Sequence, residues 1–159
     1  MKENIPQNIV EAYIMAAKVG ELEPEQKYKA FDDVISFCES NAECLAEDSL
    51  KRNTLLFWAY DKLAQSKMKE AKYVEAIDLW EKAQKLLQSP QTKVKLGNKI
   101  LEAIEKSKIG ISDKAKRIIR VTTYLQKVYS EIGDNESMNR MERLQNVAAF
   151  LLGNSKTKH

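Results

Sequence analysis

The chain holds one histidine, two cysteines, three prolines and five glycines among 159 residues, and each shortage excludes something. His159 is the single histidine and sits at the C-terminus. There is no Gly-rich phosphate loop, and no carboxylate pair stands apart from ordinary helical surface charge. Catalysis, a metal and a cofactor are therefore not expected. Cys38 and Cys44 are too few for a disulfide framework and lack the histidine or second cysteine pair of a zinc site. They read as reduced thiols of a cytoplasmic protein, with the further option of meeting across a turn and responding to oxidation. Asn-Gly and Asp-Gly are absent, so nothing argues for β-hairpins. Apolar runs stop after a few residues, far below the roughly 18 to 20 that span a bilayer. Glu3, Asn8 and Glu11 interrupt any signal-peptide core, so the chain is expected to stay in the cytoplasm.

What the sequence has in quantity is helix-forming material. Apolar residues make up 43% and charged residues 31%, the profile of a soluble helical protein. The length suits one hydrophobic core, a single domain over residues 1–153, followed by a basic flexible tail at 154–159. The net charge of +3 conceals a polarity. Residues 1–50 carry 4 basic and 11 acidic side chains, whereas residues 82–127 carry 12 basic and 3 acidic. Such a division steers a charged partner toward one region or sets up contacts between copies, so a homo-oligomer is among the expectations.

Apolar spacing predicts about seven helices. The first covers Gln7 to Val19, before Gly20. The second follows Pro24 and carries the stripe Tyr28, Phe31, Val34, Ile35 and Cys38. The third, reaching about Glu70, is apolar on two sides: Leu56, Tyr60, Leu63 and Ala64 on one, Leu50, Phe57, Trp58 and Met68 on the other. Such a helix is expected to be central in the packing. The fourth runs from Lys72 to about Gln88, closed by Ser89 and Pro90. The fifth spans Gln91 to Ser107 and the sixth Asp113 to Ile132. The seventh is capped by Asn135, with Met138, Met141, Leu144, Val147, Ala148, Leu151 and Leu152 inward. Short connections predict antiparallel neighbours.

The stretch LLFWAYDKLAQSKMKEAKYVEAIDLWEKAQKLLQSP resembles a tetratricopeptide repeat (TPR), a helix-turn-helix unit of 34 residues. Tyr60 stands at the first large position, Leu63 and Ala64 at the Leu-small pair, and Tyr73 just after the turn. Ala76, Trp80 and Ala83 match the second-helix pattern without a gap. Three positions depart from it: Lys67 replaces the usual aromatic, Ala71 the turn glycine, and the proline comes two residues late, at Pro90. A weaker match takes in Leu125, Tyr129, Gly133, Ser137, Met141 and Leu144. A third places Ala30, Val34 and Phe37 on the second helix of an N-terminal pair. After Pro90 the register stays open between two pairings. The resemblance implies an all-α, TPR-like right-handed stack.

Function is expected on surfaces. By the resemblance, the central repeat would present Trp58, Asp61, Gln65, Met68 and Lys69 in a groove for another protein or peptide, in the manner of an adaptor, scaffold or chaperone. The carboxylate-clamp version of the family uses Lys and Asn at matched groove positions. Asp61 and Gln65 do not reproduce it, so capture of a peptide C-terminus is not expected. The alternative is a nucleic-acid-associated protein using the basic segment 93–127, with Lys106, Lys114, Lys116, Arg117, Arg120 and Lys127 as its surface. That segment lacks the interleaved exposed aromatics that single-strand binders prefer. An acidic protein partner, or the acidic region of another copy, is the favoured occupant.

Overall fold

The structure, a computed structural model, describes residues 12, 18, 23–40, 50–86 and 89–157, the side chains of 24, 25, 27, 28 and 154–157 excepted. Among these residues every regular element is a helix: α1 (Pro24–Ser40), α2 (Leu50–Lys69), α3 (Tyr73–Gln84), α4 (Pro90–Lys106), α5 (Ile111–Ile132) and α6 (Asn135–Thr157). They correspond to the second through seventh expected helices. The first expected helix lies outside the described residues except for Ala12 and Lys18, both helical. The chain forms two compact units, Met1–Leu87 and Gln88–His159.

In the first unit, α1 begins at Pro24, whose fixed φ and missing N–H suit a first helical position. Its Val34, Phe37 and Cys38 join Ala12 and the α2 residues Leu55, Leu56 and Ala59 in one buried cluster. Phe31 and Tyr60 edge that cluster, their ring centroids 5.4 Å apart and tilted by 59°. A smaller cluster joins Ala30 to Leu63, with Leu79 of α3 against it. The stripe Leu56, Tyr60, Leu63, Ala64 thus faces inward as its spacing predicts. The second expected apolar side of α2 is not a core face: Leu50 is 80% exposed and Trp58 39% exposed, while Phe57 and Met68 are half-buried.

The chain leaves α2 through a tight helix-ending turn in which Lys72 N–H donates to Lys67 O (2.9 Å) and Ala71 N–H to Met68 O (3.0 Å). This bond pair is the Schellman pattern, and it holds Ala71 at φ +60°. The turn sends α3 back along α2, antiparallel to it: Glu75 meets Lys67 and, further on, Trp80 meets Asp61. Small residues mark the contact, with Ala64, Ala76 and Ala83 all at 0% exposure. The helix α3 ends at Gln84, earlier than the expected Gln88. Lys85 and Leu86 N–H groups turn to Lys82 O and Ala83 O, tightening the last turn, and Leu86 packs against the first cluster.

In the second unit, Ser89 and Pro90 open a helix. Ser89 Oγ accepts from Thr92 N–H at 3.2 Å as the N-cap of α4, and Pro90 takes the first helical position. Buried Ser107 closes it, donating from Oγ to Ile104 O. Gly97 explains how closely α5 approaches α4: a Cβ there would stand 2.6 Å from Leu125 Cγ. Between α5 and α6, Gly133 adopts φ +76° with the same bond pair as Ala71, Asp134 N–H to Tyr129 O and Gly133 N–H to Ser130 O. The cap of α6 is Asp134, not the expected Asn135, since its Oδ1 accepts from Ser137 N–H at 3.0 Å. Thr123 and Gln145, hydrogen-bonded at 2.6 Å, lie at equal sequence distance from that turn, so α5 and α6 are antiparallel.

The inward face of α6 is narrower than its composition suggests. Met141 and Ala148 are buried and Met138 and Leu152 half-buried, but Leu144, Val147 and Leu151, expected inward, are 41%, 58% and 41% exposed. Seven apolar positions cover more of the helix circumference than one neighbour conceals. The helix also continues to Thr157, through positions expected to start a tail.

Candidate functional site

The five residues expected to face a groove all lie on α2, but they do not share one environment. At 100° per residue, Trp58, Gln65 and Lys69 fall on one line, with Lys51 and Lys62 close beside it. Lys51 and Lys69 are exposed, Lys62 and Gln65 half-buried. Met68 is half-buried at the edge of this line. Asp61 is drawn inward and is 9% exposed.

A tryptophan on the neighbouring helix accounts for Asp61. Trp80 is 2% exposed, and its indole N–H needs an acceptor once buried. Asp61 Oδ1 takes that bond at 2.9 Å, while Oδ2 accepts from Gln65 Nε2 at 2.8 Å. The carboxylate is thus spent on holding α2 to α3 and on orienting Gln65. Spacing placed Asp61 and Gln65 near the same face but could not reveal the Trp80 bond, which joins positions on two helices.

A second polar contact closes the same hairpin. Lys67 has its side chain 7% exposed and its ammonium 2.9 Å from Glu75 Oε2. The hydrogen bond from Lys67 holds the Glu75 carboxyl below its ordinary value. A buried ammonium without such a partner would be costly, and the pair ties the end of α2 to the first turn of α3.

The basic candidates divide likewise. Lys116, Arg120 and Lys127 are exposed and share the solvent side of α5 with Thr123. Lys114 falls on another side of that helix, and Arg117 is half-buried. Lys106 lies on α4, paired to Glu102 at 3.1 Å. Only three of the six therefore make one stripe, and the exposed non-charged member between them is a threonine.

Sequence reasoning missed the exposed apolar side of α6, which adds Phe150, 67% exposed, to Leu144, Val147 and Leu151. The signal was the excess width of the apolar pattern. No family model, no curated protein and no solved structure matches the chain. The functional reading therefore rests on these faces alone. Among the described residues no helix is long and apolar enough to cross a membrane.

Proposed function

We propose that the chain is a protein-interaction module, an adaptor or scaffold, that binds an acidic segment of another protein along the outward face of α2. The hairpin α2–α3 is read as a repeat of the tetratricopeptide kind. Support comes from the 0% exposure of Ala64, Ala76 and Ala83 where two helices approach, and from the turn that would otherwise carry glycine. The observation that carries the binding reading is Trp58, 39% exposed on a line with lysines at 51, 62 and 69.

The physical case is one of complementarity. A rigid aromatic on a helix whose other side is in the core supplies contact area at little entropic cost, and aromatics dominate interface energetics. The lysines favour carboxylates and set the sign of the partner. Met68, half-buried at the edge, adds an adaptable apolar contact. The same reading sets the protein in the cytoplasm.

A pool of peptides rich in Asp, Glu, Leu and Phe, measured against its Lys-for-acid counterpart, tests this. Wild type binds the acidic pool, and Trp58→Ala or Lys69→Glu weakens binding at least tenfold, which is about 1.4 kcal/mol. Equal binding by wild type and both variants would rule out this face. Oligonucleotide titration separates the alternative: binding that falls steeply with salt and is lost in Arg120→Glu would instead favour the stripe Lys116, Arg120 and Lys127.

A further inference from the structure

Leu144, Val147 and Leu151 recur at i, i+3 and i+7 on α6, and Phe150 flanks them. This is the spacing of a helix–helix seam, yet the side chains are 41%, 58%, 41% and 67% exposed. The α6 face that meets α5 is a different one, centred on Met141 and Ala148. A helix with two apolar sides, of which its own hairpin covers one, has a seam left over.

We propose that this seam is covered by the same seam of a second copy of the chain, the two α6 helices crossing antiparallel about a two-fold axis at Val147. Two features of the chain choose this occupant. The first is charge: residues 128–159 carry four basic and four acidic side chains, so this part neither repels its own copy nor selects an acidic or a basic partner. That sets it apart from the basic segment before it and from the acidic N-terminal third. The second is symmetry, because an isologous contact needs a self-complementary patch. The apolar seam is centred near Val147, so a two-fold there lays Leu144 of each copy beside the 147–151 stretch of the other. Arg143 and Phe150, seven residues apart, stand on the same flank. The same axis brings each Arg143 to the Phe150 ring of the other copy, a cation–π arrangement.

The size of the seam sets the strength. Four side chains at these exposures offer on the order of 400 Å² per copy, roughly half of the ~800 Å² per partner in a standard interface. The dimer is accordingly weak, half-assembled at about 10 to 100 µM rather than at nanomolar concentration. This contact lies on α6 and is independent of the α2 face proposed above.

Sedimentation equilibrium of the full chain from about 1 to 300 µM tests the proposal across that range. The expected result is a monomer–dimer equilibrium that Val147→Glu and Phe150→Glu shift at least tenfold toward monomer, with helix content by circular dichroism unchanged. Trp58→Ala leaves it unchanged. In a Cys44→Ser background, Val147→Cys forms a disulfide-linked dimer on mild oxidation, because a two-fold at 147 brings the two sulfurs together. A wild type that stays monomeric throughout, or a dimer that persists in Val147→Glu, overturns the proposal. A reversible dimer in which Val147→Cys fails to cross-link overturns the two-fold.

Discussion

Ala71 and Gly133 do the same job in two turns and do it at different cost. Both sit one residue past a helix end with positive φ, +60° and +76°, and both turns are closed by the same pair of backbone bonds. Glycine visits that region freely, whereas alanine meets a clash between its Cβ and the backbone. Ala71→Gly is therefore expected to raise stability by about 1 kcal/mol, and Gly133→Ala to lower it by a similar amount. Chemical denaturation of both variants checks this; a destabilised Ala71→Gly would show that the turn is not held in this conformation. Tyr124 offers a second test at this scale. Its hydroxyl is buried without a hydrogen-bond partner, and burial first, then the charge of Glu131, pushes the phenol up to about 12. The sign follows. Between pH 10 and about 12 the unfolded chain loses this proton and the folded one keeps it, so stability present below pH 10 falls as pH rises through that window. Tyr124→Phe removes this part of the alkaline loss. At neutral pH it is neutral or stabilising by up to about 1 kcal/mol, because no bond is broken. A clear loss of stability in that variant would mean that the hydroxyl has a partner.

At the scale of the helices, periodicity located most of the described elements well. The reason is physical: α1, α4 and α5 each have one dominant apolar side and clear boundary signals, Pro24, Ser89–Pro90 and Gly110 at their starts and Gly133 at the end of α5. It failed where one helix carries two apolar sides. On α2 and α6 the pattern cannot say which side meets a neighbour, since that depends on a second helix whose position no local window contains. The candidate site was half legible for the same reason. Trp58, Gln65 and Lys69 share a line by spacing alone, but the burial of Asp61 is fixed by Trp80, 19 positions away. Gly97 is a further case: inside a helix pattern it reads as a weakness, and only the proximity of Leu125 gives it a purpose. Gly97→Ala forces a fully buried leucine to move and is expected to cost about 1 to 3 kcal/mol. A thermal melt reads the loss, and an unchanged transition would mean that α4 and α5 stand further apart.

At the scale of the whole chain, charge and exposed apolar surface are distributed by segment. The basic line around Trp58, the basic side of α5 and the neutral apolar side of α6 are three surfaces of different chemistry on helices that are otherwise committed to cores. The α2 face is the one that combines an exposed aromatic with a defined charge, and it is the center of the functional account. Trp58 and Trp80 report on it directly, because one is 39% and the other 2% exposed. The most direct measurement is tryptophan emission during titration with the acidic peptide pool, in wild type and in Trp58→Phe. A blue shift and reduced quenching by acrylamide are expected on binding, weakened by added salt and absent in Trp58→Phe. Saturable binding that leaves the Trp58 signal unchanged, or an identical response in Trp58→Phe, would contradict it.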